Sequence, residues 1–275
     1  MPPADTPSSS STASKLVNLA LQGGGSHGAF TWGVLDALLE DGRVEFEGIT
    51  GASAGAMNAA VLADGMLDRP ADPREGARQA LHDFWRSISQ QVGFLSSNNL
   101  TPRVSIFGFP EFQQSYALDR NPAFLAFDWL TRVASPYQLN PLNFNPLRDV
   151  LNEWIDFERL QTSAPFKLFV CATNVRTGRP RVFRESELTC DMLLASACLP
   201  FFFQAPEIGG EHYWDGGFSG NPPLFPLHTE TVTRDIVLVA INPLIRPHLP
   251  TTATEIIDRV NELSFNSNLL LEMRA

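Results

Sequence analysis

The sequence predicts an α/β fold, a three-layer α/β/α sandwich whose central sheet is mostly parallel. Short apolar runs of strand length alternate along the chain with longer segments whose apolar residues recur at helical spacing. Glycine- and proline-rich turns separate these segments, and 44% of the 275 residues are hydrophobic, which is enough for a large core. Strands that alternate with helices usually form a parallel sheet covered on both faces. We therefore expect a single layered domain over residues 15–275, with one long insertion.

The composition argues against several classes of function. A formal net charge of −10 disfavours nucleic acid as a partner and disfavours strong attraction to anionic lipid surfaces. The three cysteines show no C-x-x-C spacing and cannot all pair within one molecule, which indicates reduced thiols. No metal-binding motif is present, so we expect neither a metal nor another cofactor.

The N-terminal residues 1–14 are rich in Pro, Ser and Thr and are predicted to form a disordered tail. They contain neither the basic nor the apolar segment of a signal peptide. No uninterrupted apolar run approaches the roughly 18 residues typical of a transmembrane helix. The predicted location is cytoplasmic, with peripheral membrane association as an open alternative; the oligomeric state is left open.

The first predicted strand leads into a glycine-rich loop. The apolar run Leu16–Leu21 is followed by the loop Gly23–Gly28 and then by Ala29–Glu40, which has helical spacing. Consecutive glycine amides at a helix N-terminus can direct several N–H groups at one negative charge. The last glycine of the loop, Gly28, is expected to serve close helix packing rather than catalysis.

The same loop also fits the dinucleotide-binding pattern G-x-G-x-x-G. That fold needs an acidic residue about 20 positions further on, at the end of the second strand, to bind the ribose. The second strand ends instead in Thr50–Ser53, and Asp41 and Glu45 precede it. The missing acid weakens an NAD- or FAD-binding function, which stays as an alternative.

The second strand, Phe46–Thr50, passes into a helix-like run, Ala54–Ala63, through Gly51-Ala-Ser53-Ala-Gly55. A serine between two glycines at a strand-to-helix turn is typical of a nucleophile elbow. Small residues also gather wherever a helix packs tightly on a sheet, so the pattern by itself is compatible with both. Ser53 is the candidate nucleophile. Beside it, the amides of the three loop glycines would form an oxyanion hole; these are Gly23, Gly24 and Gly25.

A long insertion is predicted over residues 92–147, after a loop at 64–75 and a helix over Gly76–Gln90. The insertion is rich in aromatic residues, is broken by prolines and lacks strand alternation, which favours a mainly helical, cap-like segment. Its aromatics would either form a core of their own, or line an acyl-chain pocket or lipid interface.

The remaining elements follow from the same patterns. The predicted strands are Phe166–Thr173, Arg181–Phe183, Tyr213–Trp214 and Ile236–Ile241, and the predicted helices are Pro146–Asp156, Leu188–Cys198 and a C-terminal helix at 254–275.

Three motifs together resemble the patatin-like phospholipase family: the glycine loop Gly23–Gly28, the elbow Gly51–Gly55 and the turn Asp215-Gly216-Gly217. They stand in that family's order, and the resemblance extends from Leu16 to about Asn242. It implies the α/β/α fold and a Ser-Asp dyad in which Asp215 acts directly as the base toward Ser53. The chain departs from the family at His27, where the family usually has Arg or Lys, so a preference for phospholipids is left open.

A serine hydrolase usually places a histidine between serine and acid. None of the five histidines follows a final strand in the chain order of α/β-hydrolases. His27 and His212 lie nearest to the motifs in sequence. A carboxylate with an ordinary pKa near 4 is a poor base, so a dyad needs an apolar setting that raises the pKa of Asp215. The candidates to provide it are Tyr213, Trp214, Phe218 and Phe201–Phe203.

The expected function is a serine acyl hydrolase that cleaves fatty-acyl esters of phospholipids or related lipids through an acyl-enzyme. An esterase for another hydrophobic ester or polyester is one alternative. A non-catalytic lipid-binding protein on the same fold is another. The expected partners are a lipid or other hydrophobic ester and, transiently, a membrane interface.

Overall fold

The computed structural model describes residues 14–97 and 134–274, and these form a central seven-stranded sheet with helices on both faces. The strand order is β5-β6-β3-β2-β1-β7, and β4 also pairs with β3. The strands are β1 (Lys15–Leu21), β2 (Val44–Ala52), β3 (Lys167–Asn174), β4 (Pro180–Arg184), β5 (Glu207–Ile208), β6 (Glu211–Asp215) and β7 (Ile236–Val239). Strands β7, β1, β2 and β3 are parallel neighbours, whereas β4 and β6 run antiparallel to β3. The predicted α/β fold with a mostly parallel sheet is confirmed.

The described helices surround this sheet. They are α1 (Gly28–Asp41), α2 (Ala54–Asp68), α3 (Pro73–Ser97), α4 (Pro136–Leu139), α5 (Pro146–Trp154), α6 (Phe157–Ser163), α7 (Cys190–Ser196), α8 (Phe225–Glu230) and α9 (Ala253–Glu272). Short 3₁₀ turns occupy Gly25–His27, Glu185–Glu187 and Gly216–Phe218.

Alternation along the buried strands produces two cores, one on each face of the sheet. Leu19 and Leu21 belong to the larger cluster, which includes buried residues of α1, α2 and α3. Ala20 and Phe169 belong to a smaller cluster with Leu269 of α9. Successive residues of a strand point to opposite faces, so the two clusters are the two interfaces of the predicted three-layer sandwich.

Helix boundaries follow local capping chemistry. The side chain of Asn145 accepts a hydrogen bond from the amide of Leu147 at 3.1 Å and starts α5. Thr252 and Glu255 form a reciprocal capping box at the start of α9. Helix α1 ends at Gly42, whose φ of 72° lies in the left-handed region favoured by glycine.

The loop predicted over residues 64–75 is shorter in the structure, because α2 continues past its start and α3 begins before its end. Tertiary contacts hold the extra helical turns. The carboxylate of Asp64 pairs with the guanidinium of Arg159 at 2.9 Å. A Cβ atom on Gly65 would lie 2.8 Å from the carbonyl oxygen of Gly76, so α2 and α3 can approach this closely only through glycine.

Two predicted segments fall largely outside the described residues: the tail at 1–14 and the greater part of the insertion at 92–147. Within 14–97 and 134–274, no helix is long and apolar enough to cross a bilayer.

Candidate active site

The register of β3 brings the two predicted catalytic residues together. Ala52, the last residue of β2, pairs with Cys171, and Asp215 pairs with the next residue, Ala172. Strand β4 occupies the opposite edge of β3 at both positions. Strands β2 and β6 therefore pair with the same edge of β3, and along that edge β6 begins where β2 ends. Asp215 consequently lies beside the residue that follows Ala52, which is Ser53.

Ser53 occupies a strained turn between β2 and α2. Its φ of 53° and ψ of −128° are unusual for a residue with a side chain, and only 2% of its surface is exposed. The Ser53 amide donates to Ser196 at two atoms, the carbonyl oxygen at 3.1 Å and Oγ at 2.9 Å. The Ser196 hydroxyl in turn donates to the carbonyl of Cys171 at 2.6 Å. Ser196, which the sequence did not single out, thus ties the elbow to β3.

The glycines around the elbow permit very close backbone contacts. A Cβ atom on Gly55 would lie 2.2 Å from the carbonyl oxygen of Leu21, and one on Gly23 would lie 2.8 Å from Cβ of Ser53. Gly28 packs against Ala54, as expected, since a Cβ there would lie 2.6 Å from Cβ of Ala54. Helix α2 therefore packs tightly on the sheet, and the turn that leads into it at Ser53 is strained.

Asp215 is fully buried, and only one of its two carboxylate oxygens has a hydrogen-bond partner among the described residues. Its Oδ1 accepts a 2.7 Å hydrogen bond from the amide of Gly217, and its Oδ2 has no hydrogen-bond partner among the described residues. Burial raises the pKa of Asp215 to about 7; the Gly217 amide and, to a smaller extent, the Ser53 hydroxyl act in the opposite direction. The arrangement provides a carboxyl group that can exchange a proton near neutral pH.

The apolar cover near Asp215 differs in part from the predicted set. Tyr213 is buried two residues before Asp215, on the same face of β6. Phe201 and Phe218 are 64% and 39% exposed and lie at the surface. A residue that was not predicted, Phe265 of α9, packs directly against the Asp215 turn: a Cβ on Gly217 would lie 2.2 Å from its ring.

The glycine loop is held by amide side chains. The amide of Gly23 donates to Oδ1 of Asn221 at 2.7 Å, and its carbonyl accepts from Nδ2 of Asn221 at 3.2 Å and of Asn242 at 3.1 Å. Gly23 was predicted to donate its N–H to an oxyanion. In this structure that N–H is already bound to Asn221, so Gly23 anchors the loop instead. The amides of Gly24 and Gly25 donate to no residue in the described ranges.

All five histidines lie in the described ranges and are exposed, and none hydrogen bonds to Ser53 or Asp215. His212 is three residues from Asp215, on the opposite face of β6, where its Nε2 lies 3.9 Å from a carboxylate oxygen of Glu207. Nδ1 of His27 lies 3.2 Å from the carbonyl oxygen of Gly24, its own loop. The geometry brings serine and acid together without a histidine between them.

One cavity adjoins the glycine loop, and a second lies near the strand that carries Asp215. One, of about 250 Å³, lies between the glycine loop and α9, with Gly24, His27, Arg246 and Phe265 in its wall. Arg246 is paired there with Glu262. The other, of about 940 Å³, lies next to Trp214, and its wall also includes Pro136, Pro200, Phe201 and Phe218.

The cysteines are poorly suited to act as nucleophiles. All three cysteines are buried and unpaired, and burial raises the pKa of Cys190 to about 11 and that of Cys198 to about 12. Thiols this hard to ionise are poor nucleophiles. In the part of the chain that the structure describes, no group of His, Cys, Asp or Glu side chains could hold a metal ion.

Comparison with known structures identified VipD from Legionella pneumophila, at 19% sequence identity and a TM-score of 0.46. The alignment covers 82% of this chain and 49% of the VipD chain, so this chain spans about half the length of that protein. A search among curated proteins produced no significant match.

A model of the patatin-like phospholipase family matches residues 19–228. This range is most of the chain, and it contains the glycine loop, the elbow at Ser53 and the turn at Asp215. It ends before β7 and α9. The chain therefore belongs to the patatin-like phospholipase family.

Proposed function

We propose that this protein is a lipid acyl hydrolase in which Ser53 is the nucleophile and Asp215 is the general base. The observation that carries the proposal is the position of Asp215. A buried carboxyl group with one oxygen unpartnered in the described chain lies beside a serine on a strained elbow. Membership of the family supports hydrolysis of lipid esters as the general activity.

In the acylation step, the Asp215 carboxylate accepts the hydroxyl proton of Ser53 as Oγ attacks the ester carbonyl carbon. The amides of Gly24 and Gly25 stabilise the negative charge on the former carbonyl oxygen. As the tetrahedral intermediate collapses, the bond to the leaving alkoxide breaks, and this oxygen takes the proton from Asp215. The products are an alcohol and an acyl group on Ser53.

In the deacylation step, water repeats the sequence. Asp215 accepts a proton from the attacking water, and the second tetrahedral intermediate expels the oxygen of Ser53, which recovers the proton. A pKa near 7 suits both directions, because Asp215 must accept and release the same proton at physiological pH.

The surroundings of the site support a hydrophobic substrate. The larger cavity, next to Trp214, has aromatic and proline side chains in its wall, which suits a fatty-acyl chain. Exposed aromatic rings at its edge, Phe201 and Phe218, are suited to transient contact with a lipid interface.

A second candidate, an esterase for another hydrophobic ester or polyester, is favoured by one observation. His27 takes the position where the family usually has a cation, and Arg246, which lines the same cavity, is already paired with Glu262. A phosphate would thus meet no uncommitted guanidinium in this cavity.

The test is hydrolysis of p-nitrophenyl esters of short and long acyl chains, phospholipid vesicles and a triacylglycerol emulsion by four folded proteins. These are the wild type, Ser53→Ala, Asp215→Asn and the matched control His212→Ala. We expect the first two substitutions to lower kcat/KM by roughly 10³-fold or more, and the control to retain activity. A fluorophosphonate should label the wild type at Ser53, as seen by mass spectrometry.

Inactivity of the wild type on every ester would overturn the proposal in favour of a lipid-binding protein. Loss of activity in His212→Ala alone would replace the dyad by a histidine-dependent mechanism. Hydrolysis of p-nitrophenyl esters without lipid hydrolysis would support the second candidate.

A further inference from the structure

We infer that two consecutive residues of α9, Phe265 and Asn266, position the catalytic centre. Asn266 holds the glycine loop that would bind the oxyanion, and Phe265 holds the turn at Asp215. Both residues lie beyond the range that matches the family, which ends at residue 228. The inference rests on the proposed function, because it concerns the same site.

Asn266 is connected to the glycine loop through one buried side chain. Only 2% of Asn266 is exposed; its Oδ1 accepts a 2.7 Å hydrogen bond from Nε2 of Gln22, and its Nδ2 donates to the carbonyl of Pro243 at 3.1 Å. Gln22 is fully buried and immediately precedes Gly23. The first residue of the loop is therefore one peptide away from a direct contact with α9.

Gln22 uses the other end of its amide to hold the segment after β7. Its Oε1 accepts from the amides of Ile241 and Asn242, both at 2.8 Å, and the Asn242 side chain donates to the carbonyl of Gly23. A correctly oriented Gln22 amide thus connects the loop to Asn266 on one side. On the other side it holds the segment whose Asn242 side chain binds the carbonyl of Gly23. The two main-chain donors require Oε1 of Gln22 at this end, and Oδ1 of Asn266 provides the acceptor that Nε2 needs at the other.

Without Asn266, the Nε2 group of Gln22 keeps only a 3.5 Å contact to the carbonyl of Asn221. A buried donor left without a partner is costly, so the Gln22 side chain would turn to find another acceptor. Its bonds to the β7 segment would then be lost, and the loop glycines would shift. Oxyanion donors must stay within a few tenths of an ångström of their working position, so a small shift lowers the rate.

Phe265 makes the second contact, to the other half of the site. Its ring fills the space where Gly217 would carry a Cβ atom, and it lies 5.5 Å from the ring of Phe218. The amide of Gly217 is the group that binds Oδ1 of Asp215. One turn of α9 therefore contacts both the strand end that carries the oxyanion loop and the turn that carries the base.

Helix α9 also has a plain packing function, since Leu269 belongs to the core of this face of the sheet. A purely structural role would lower stability and would affect substrate and transition-state binding alike. Positioning of the oxyanion loop predicts a selective loss of affinity for groups that carry an oxyanion.

The experiment compares the wild type with Asn266→Leu and with the control Ser267→Ala, whose exposed hydroxyl bonds only within α9. Two inhibitors of equal chain length are used. A trifluoromethyl ketone forms an oxyanion on adding the serine hydroxyl, whereas an ether analogue of the substrate does not.

We expect Asn266→Leu to lower kcat/KM and the affinity for the ketone in parallel, by roughly 10- to 100-fold, somewhat less than removal of one oxyanion donor. Affinity for the ether and the behaviour of Ser267→Ala should be unchanged. Wild-type kinetics in a folded Asn266→Leu protein, or equal weakening of both inhibitors, would overturn the inference.

Two further measurements keep the test decisive. If Asn266→Leu does not fold, Asn266→Ser, which cannot reach Gln22, is measured with the same expectation. Phe265→Leu should shift the pH midpoint of kcat/KM to lower values, since a looser cover admits water to Asp215; an unchanged midpoint would remove Phe265 from the inference. A wild type that is inert and does not bind the ketone would instead mean that the proposed function has failed.

Discussion

The amide of Gly217 donates to Oδ1 of Asp215 at 2.7 Å, while Oδ2 of the same fully buried carboxyl group has no partner among the described residues. One oxygen is thus held by the turn, and in the proposed mechanism the other takes part in proton transfer. Burial raises the pKa of this carboxyl group to about 7, against the effect of the Gly217 amide, and the first two predictions follow from that shift.

The first prediction concerns the pH dependence of the reaction. In the proposed mechanism Asp215 must be deprotonated to act as the base, and burial raises its pKa to about 7. We expect kcat/KM to reach a plateau above pH 7 and to fall about tenfold for each pH unit well below it. Rates measured between pH 5 and pH 9 on a stable ester test this. A midpoint near pH 4 would contradict it.

The second prediction is that Asp215→Asn makes the protein more stable while abolishing activity. Because the folded pKa is near 7 and the unfolded value is about 3.9, the folded state binds the proton more tightly. Stability from this group is complete below pH 4 and is lost as the pH rises through 7.

At pH 8 the buried charge costs about 4 kcal/mol, so the asparagine variant should gain up to that amount, and less as the pH is lowered. Urea unfolding at pH 8 and pH 4.5 measures the difference, with the exposed Asp149→Asn as control. A destabilised Asp215→Asn at pH 8 would show that the carboxylate is better solvated than its burial indicates.

The third prediction separates two glycines. A Cβ on Gly55 would lie 2.2 Å from the carbonyl oxygen of Leu21, whereas Gly33 of α1 is exposed and has nothing within 4 Å of its Cβ position. Gly33→Ala should stabilise the protein by about 0.5–1 kcal/mol through helix propensity. Gly55→Ala should destabilise it by about 1–3 kcal/mol or more and inactivate it. Thermal unfolding of both variants tests the contrast, which equal effects would contradict.

The fourth prediction concerns Ser196, whose hydroxyl joins the amide of Ser53 to the carbonyl of Cys171. Ser196→Ala leaves the Cys171 carbonyl without this donor, which should cost about 1–3 kcal/mol. The Ser53 amide keeps its bond to the Ser196 carbonyl. We therefore expect Ser53 to be held less rigidly, which should lower kcat and change KM little. Steady-state kinetics and urea unfolding measure both effects; a wild-type kcat would exclude Ser196 from positioning the nucleophile.

Much of the fold could be predicted because it depends on local pattern. Apolar runs of strand length, helical spacing and glycine turns indicated the sheet and its helices, and the loop before α1 and the elbow before α2 lie where these patterns change. The helix ends that were predicted wrongly, around residues 64–75, depend on the contact of Asp64 with Arg159, 95 residues away. Local propensity carries no information about such a partner.

By itself, the sequence determined the fold class, the strained turn at Ser53 and the family motifs, because each of these is a short-range property of consecutive residues. Only the tertiary structure decided that Gly23 is bound to Asn221, that Ser196 supports Ser53 and that Asn266 reaches Gln22, across 198, 143 and 244 residues of chain. The raised pKa of Asp215 was likewise decided only by the tertiary structure. Strand register and burial set these relationships, and both arise only when distant segments pack together.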